Sequence, residues 1–385
     1  MEGVDETPKA SQVALEEDVI SSMPDIVMNN ILDRLPTQEA VRTAILSKDW
    51  RYKRKILSQL VFDENFYGFL QATKNERYYG KIISSLMHHL KGSIKKFVLC
   101  IDDKCYSVMD AEDINKWIIY LTENGLKQLT IKYLGEKPLR LTSHIFSYLE
   151  LTHLELQNCE LAPGTDYCGF PNLLGLNLIW VDIETYKCGE FLTRCPNLER
   201  LDFSSWNYDI YETDIAKLVN LKKLLWQLGT FKNTKIITSS RIFVAMGCLT
   251  KLSELSLFFF KCQLLEDARR SVPKSFPCLK KLNLLGIDFS SKTMVSFVVE
   301  LLCASPNVLS LKIKTAFKDA FQPGSSEVDY GKMGQLQLRN VGLYSIRGSK
   351  NEECMIKSLL ACSPLLKKIV ITADTPEVFG DDHGD

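Results

Sequence analysis

The chain has 385 residues, with 47 Lys and Arg against 47 Asp and Glu, so its formal net charge at neutral pH is zero. That balance gives no global pull toward nucleic acid or an anionic membrane surface, and the length is too great for one ordinary compact domain unless the chain is a repeat array. No apolar run reaches the roughly 18 residues of a membrane helix, and twelve cysteines without a Cys-x-x-Cys pair favour reduced thiols over a disulfide framework or a structural zinc.

Residues 1–17 open on the acidic, polar run Met1-Glu2-Gly3-Val4-Asp5-Glu6, so a disordered tail and no secretory signal are expected. Residues 18–62 read as three short helices. Pro24 sits where a helix start tolerates proline, Ser21 and Ser22 are candidate caps, and Val27, Met28, Ile31, Leu32 and Leu35 share one helical face. Pro36 ends that helix and Thr37 is placed to cap the next, whose apolar side is Ala40, Val41, Ala44 and Ile45; Ser47 restarts the chain and Trp50 follows a turn later. A module this short cannot bury so much apolar surface alone. It is either a cap on the open end of a larger domain or a docking module whose remaining apolar face belongs to another protein.

The run Met23-Pro24-Asp25-Ile26-Val27, Ile31-Leu32, Leu35-Pro36-Thr37, Ala40-Val41-Arg42-Thr43 and Leu46-Ser47-Lys48-Asp49-Trp50-Arg51 resembles the F-box motif, most closely the plant type that carries leucine-rich repeats behind it. The resemblance implies docking on a Skp-type adaptor, and through it on a cullin, with Pro24, Ile31, Leu32, Leu35, Pro36, Val41, Leu46 and Trp50 as adaptor-binding residues.

Residues 63–93 read as a helical connection into something larger. Gly92 to Leu99 reads as a turn and a strand; Asp113 to Leu121 as a helix closed by Gly125, followed by the strand Leu129-Thr130-Ile131. From there a spacing of apolar, two residues, apolar, one residue, apolar recurs. Its copies are Leu126/Leu129/Ile131, Leu151/Leu154/Leu156, Leu173/Leu176/Leu178, Leu198/Leu201/Phe203 and Leu221/Leu224/Trp226, then Leu252/Leu255/Leu257, Leu279/Leu282/Leu284, Val308/Leu311/Ile313, Met333/Leu336/Leu338 and Leu366/Ile369/Ile371. This is the leucine-rich-repeat signature, with Cys159 in its Asn/Cys slot. Prolines 171, 196, 277, 306 and 364 each precede a strand start and stop the preceding segment. The expected fold is α/β: a three-helix F-box, then a curved solenoid of parallel strands and outer helices over residues 94–330. Residues 331–375 form the last unit and 376–385 an acidic tail. Within that last unit Gly348, Glu352-Glu353, Ile356, Leu359-Leu360, Ser363-Pro364 and Leu366-Lys367-Lys368-Ile369 resemble the FBD domain that follows F-box and repeats in a large plant family.

Catalytic signatures are missing: no Gly-x4-Gly-Lys-[Ser/Thr] loop, no His-Glu-x-x-His, no Gly-x-Ser-x-Gly. His88 and His89 are neighbours on a helix and point about 100° apart, so they do not chelate together. No catalytic residue, metal or cofactor is expected. What the resemblance implies is a non-catalytic substrate-recognition subunit of a Skp-cullin-F-box ubiquitin ligase, in the nucleus or cytoplasm, with an unknown protein target and neither nucleic acid nor membrane as partner. A non-degradative repeat scaffold and a small-molecule-dependent co-receptor are the alternatives. Strand alternation places residues on either side of the second leucine on the concave face. There Trp180, Arg200, Asp202, Phe258 and Phe259 are the candidate target-binding residues, with Trp206 beside them.

Overall fold

The computed structural model describes residues 23–43, 57–72, 79–90, 92–101, 109–162, 167–183, 188–204, 210–229, 234–265, 275–316 and 328–373. The N-terminal elements are α1 (Asp25–Leu32), α2 (Thr37–Arg42), β1 (Gln59–Phe62), α3 (Glu64–Ala72), α4 (Tyr79–His89), β2 (Lys96–Ile101), α5 (Ala111–Glu123), β3 (Gln128–Tyr133) and β4 (Leu139–Leu141). The middle carries β5 (His153–Gln157), β6 (Cys159–Leu161), β7 (Gly175–Ile179), β8 (Asp182–Ile183), α6 (Cys188–Thr193), β9 (Arg200–Ser204), α7 (Glu212–Ile215), β10 (Lys223–Leu228), β11 (Lys235–Thr238) and α8 (Ser239–Gly247). The last part holds β12 (Glu254–Phe259), β13 (Cys262–Leu265), β14 (Lys281–Ile287), α9 (Lys292–Ala304), β15 (Ser310–Thr315), β16 (Asn340–Ile346), α10 (Lys350–Cys362) and β17 (Lys368–Ala373).

Among the described residues one sheet of 12 strands runs β1-β2-β3-β5-β7-β9-β10-β12-β14-β15-β16-β17, with neighbouring strands parallel throughout. The leucine spacing dictates this. Alternate strand residues point to opposite faces, so the two inward positions of the copies from Leu129/Ile131 to Leu311/Ile313, such as Leu154 and Leu156 or Leu255 and Leu257, enter the core and are buried. They stand in register across strands, Leu154 beside Leu176 and Leu176 beside Leu201, which stacks them into continuous apolar columns.

The turn before each strand is tied to its predecessor by one carbonyl that accepts from two successive N–H groups of the next repeat. The series starts with Ser58, which accepts from Lys95 and Lys96, and ends with Arg339, which accepts from Lys367 and Lys368. Asparagines reinforce it: Asn172, Asn197, Asn220 and Asn307 each donate from Nδ2 to a turn carbonyl one repeat back, at 2.7 to 3.0 Å. Beyond several strand ends the chain bends into two smaller parallel sheets, β4-β6-β8 and β11-β13. Asn158, Trp180, Gly229 and Lys261 occupy the left-handed region at those bends. A side chain at Gly229 would run into the backbone of Phe260, so glycine is required there.

The structure departs from the expected boundaries in three places. The sheet begins at β1, so the segment ending at Phe62 belongs to the solenoid and not to the helical module, and α3 and α4 are the outer layer of a first repeat. Thr37 lies inside α2 instead of capping it, because Oγ1 is committed to β1, where it accepts from the Val61 N–H at 2.8 Å. The copy Met333/Leu336/Leu338 is out of step: the strand is β16, built on Leu338, Val341 and Leu343, with Val341 opposite Leu311 and Leu343 opposite Ile313. Met333 and Leu336 are buried all the same, in the entry turn, where Leu336 N–H donates to Cys362 O.

Candidate functional site

Among the described residues two surfaces carry the expected site residues. The first is the outer side of α1. Met28 and Leu32 lie one turn apart and both enter the core that runs on into the solenoid, while Ile26 is 72% exposed, Val27 40% and Ile31 38%. Of the expected adaptor-binding residues, Pro24, Ile31 and Pro36 are exposed, and Leu35 and Val41 are half-buried. Leu32 is 1% exposed, which corrects its assignment: it anchors the module and offers nothing to a partner. Leu46 and Trp50 lie outside the described residues. Ile26 was missed because it falls off the face that Met28, Leu32 and Leu35 define.

The second surface is the concave face of the sheet, where a groove of about 730 Å³ runs across β2 to β12. Arg200 reaches over Gly175 and donates from Nη2 to Nε2 of His153 at 2.5 Å. A Cβ on Gly175 would stand 2.7 Å from His153 Cδ2, so this contact needs a residue without a side chain between its partners. The direction of the hydrogen bonds fixes the tautomer. Nε2 accepts from Arg200, so Nδ1 carries the proton and donates to Thr152 Oγ1 at 3.0 Å, and Thr152 donates onward to Lys127 O at 2.9 Å. His153 is therefore neutral, and burial first, then the charge of Arg200, holds its pKa below the ordinary value.

On the neighbouring row, Glu155 receives Lys132 Nζ at 3.0 Å, Asn177 Nδ2 at 3.1 Å and Thr130 Oγ1 at 3.4 Å. Glu254 bridges Lys223 and Lys281, each at 3.0 Å. Burial works to raise the Glu254 pKa, but the hydrogen bonds from Lys281 and Lys223 outweigh it and hold the carboxyl below its usual range. Asp202 moves the other way: burial, then the like charge of Glu155, raises it.

The expected target-binding residues do not form one cluster. Trp180 stands at the bend after β7, 37% exposed with φ 56°. Phe258 is half-buried on the concave side of β12 and packs on the Phe260 ring at 5.7 Å. β9 and β10 intervene between those two strands. Phe259 faces the opposite way: it is 5% exposed and packs on Phe297 at 5.6 Å, so it belongs to the core. The alternation Glu254 out, Leu255 in, Ser256 out, Leu257 in, Phe258 out leaves no other place for it. Arg200 and Asp202 do share the groove. Trp206 lies outside the described residues. Among the described residues no group of three His, Cys, Asp or Glu is placed to hold a metal ion, and no helix is long and apolar enough to cross a membrane.

The parallel solenoid with a helical module stitched to its first strand defines a leucine-rich-repeat protein with an N-terminal helical module. The F-box domain model matches residues 20–53, and the repeat model described as "FBD-associated F-box protein At5g56370, LRR repeats" matches residues 114–236. The F-box/FBD/LRR-repeat protein At1g13570 of Arabidopsis thaliana is 27% identical over 92% of this chain and 91% of its own. The Arabidopsis thaliana F-box/LRR-repeat protein At4g14103 is 31% identical over 54% of this chain and 56% of its own. The chain thus carries an F-box match followed by a leucine-rich-repeat match, and it is similar along most of its length to F-box/FBD/LRR-repeat proteins.

Proposed function

We propose that this protein is the substrate-recognition subunit of a Skp-cullin-F-box ubiquitin ligase. The observation that carries the reading is the split of α1 into a buried side, Met28 and Leu32, and an exposed apolar side, Ile26, Val27 and Ile31, within the stretch that matches the F-box domain. F-box domains generally bind Skp-type adaptors, and an apolar face left over on an anchored helix is what such docking uses. The repeats then hold the target on the concave face, and other subunits transfer ubiquitin. The chain supplies proximity, which raises the local concentration of the target, and no bond chemistry of its own. The nucleus or cytoplasm is the compartment that suits its twelve cysteines as reduced thiols.

The test is co-purification with a Skp-type adaptor. Ile26→Asp/Ile31→Asp should abolish capture while the melting temperature stays at the wild-type value, because both side chains are already exposed. Pro24→Ala/Trp50→Ala should weaken capture by roughly 2 kcal/mol or more, the typical loss when an aromatic anchor leaves an interface. Equal adaptor affinity for all three chains would sink the reading.

A further inference from the structure

The concave face changes character at β12. From β3 to β12 the cations on its strands are committed: Lys132 to Glu155, Arg200 to His153, and Lys223, together with Lys281 of β14, to Glu254. Beyond β12 the acidic residues run out. Among the described residues from 275 to 373, every Asp and Glu lies on α9, on α10 or in a connection, and none on a strand of the sheet.

The basic residues of the same stretch do lie on the sheet. Lys312 and Lys314 are exposed on the concave side of β15, opposite in parity to the buried Leu311 and Ile313. Lys280, Arg339, Lys367 and Lys368 are exposed at the starts of β14, β16 and β17. None of these six has an ion-pair partner among the described residues. Like charges gathered on one face repel one another, and an anionic partner relieves that repulsion.

The floor between the lysines is apolar. Lys314 stands in register between Leu285 on β14 and Tyr344 on β16, both half-buried. A Cβ on Gly342 would stand 2.7 Å from Tyr344 Cε2 and Oη, so the tyrosine ring lies back along its own strand, over Gly342 and beside Lys312. Leu285 and Tyr344 thus flank a lysine stem and leave its ammonium group to the surface.

We propose that the β14–β17 part of the concave face binds an acidic peptide segment of the captured protein, with its carboxylates on Lys312, Lys314 and Lys368 and one apolar side chain on Leu285 and Tyr344. The cations are spread over four strands, roughly 15 Å across, which is the length of about five extended residues. That spread fits a row of single carboxylates better than one converging dianion. A nucleic-acid backbone fits worse, because Glu155, Asp202 and Glu254 line the same face on β5, β9 and β12 and repel a longer polyanion. This rests on the reading that the concave face holds the target, and it names the chemistry that face selects.

The experiment is fluorescence anisotropy on the full chain with a labelled Asp-Glu-Phe-Glu-Asp peptide as the probe. Its carboxamide counterpart, Asn-Gln-Phe-Gln-Asn, and a short oligothymidylate are the comparators. The acidic peptide should saturate, and its affinity should fall as salt rises from about 50 to about 200 mM. The carboxamide peptide and the oligothymidylate should each bind at least tenfold more weakly. Lys312→Glu/Lys314→Glu and Lys367→Glu/Lys368→Glu should each lose at least tenfold in affinity with the melting temperature unchanged, since all four side chains are exposed. A carboxamide peptide or an oligothymidylate that binds as tightly, or unchanged affinity in both variants, overturns the proposal. Binding seen only after residues 374–385 are removed would give the strip to the chain's own acidic tail, with Asp374, Glu377, Asp381, Asp382 and Asp385, and overturns it too. Probe binding needs neither adaptor nor target. A chain that captures its adaptor but ignores the acidic peptide therefore overturns this inference alone, and an adaptor-blind chain that binds the peptide overturns the ligase reading alone.

Discussion

At the scale of single residues, His153 shows how one uncharged imidazole organises the concave face. It accepts from Arg200 only while Nε2 is unprotonated, so the folded state prefers the neutral ring and its pKa lies below the unfolded value. The sign follows from linkage. The stabilisation is complete above the unfolded histidine pKa, about 6.5, and is lost as pH falls from there through the lower folded value. Melting temperatures at pH 7.5 and pH 5.5 should thus fall further apart for the wild type than for His153→Gln, which keeps an acceptor but does not titrate. Identical shifts in the two proteins would show that the imidazole is not coupled to folding. Gly175→Ala should mimic the acid state at neutral pH by pushing the ring away from Arg200.

Residue types and parity alone placed Arg200 and Asp202 on one face of a strand, because alternation is local. They did not show that Arg200 turns away from Asp202, since that depends on a histidine two strand spacings away and on the glycine that stands between the two. The outward place of Phe258 followed from the same parity; Phe259 was misplaced because two consecutive aromatics were both counted as surplus to the core.

At the scale of elements, each repeat is a strand whose inward pair fills the core and whose entry turn is locked by a shared carbonyl. Leu257 is fully buried in the centre of the sheet, so Leu257→Ala should destabilise by about 2–5 kcal/mol through lost burial and the cavity left behind. Ser256→Ala, which removes the hydrogen bond that Ser256 Oγ accepts from Asn283 Nδ2 at 2.9 Å, should cost only about 0.5–1.5 kcal/mol; guanidinium unfolding read by circular dichroism compares them. The C-terminal helix α10 depends on a capping box, in which Ser349 Oγ accepts from Glu352 N–H at 3.3 Å and the Glu352 carboxylate accepts from Ser349 N–H at 2.7 Å. Ser349→Ala should cost about 1 kcal/mol in the same assay. Most of these elements were legible because ten copies of one spacing outweigh the ambiguity of any single copy. The failures sit where a strand lacks the pattern: β1, hidden in the connection from the helical module, and β16, where Met333, Leu336 and Leu338 imitate a copy of the opposite parity.

At the scale of the molecule, the two ends of the sheet are treated differently. The β1 end is covered: α1 and α2 lie against it, Thr37 and Asp33 accept hydrogen bonds from Val61 and Ser58, and Met28, Leu32 and Ala40 join the common core. The helical module therefore caps the solenoid with one side and leaves Ile26, Val27 and Ile31 exposed on the other, the side that the proposed adaptor would cover.

The β17 end is the last solenoid unit, but its own core positions stay open: Ile371 is 47% exposed, and Leu360 and Leu365 flank it at 51% and 48%. In the preceding strand the equivalents Val341 and Leu343 are 3% and 1% exposed. A parallel edge that carries exposed apolar residues is a template for association unless charge interrupts it. Ile371→Lys should accordingly lower self-association, seen by light scattering at rising concentration, with little change in melting temperature, because so much of that side chain already meets water. Removing residues 330–385 should act in the opposite direction. It strips α10 and β16 from the stack and turns β15, whose Leu311 and Ile313 are wholly buried, into the new edge. That truncation should aggregate at concentrations where the full chain is monomeric. If it instead stays soluble and unfolds in one cooperative step, the last unit is an appendage and β15 is the true end of the fold.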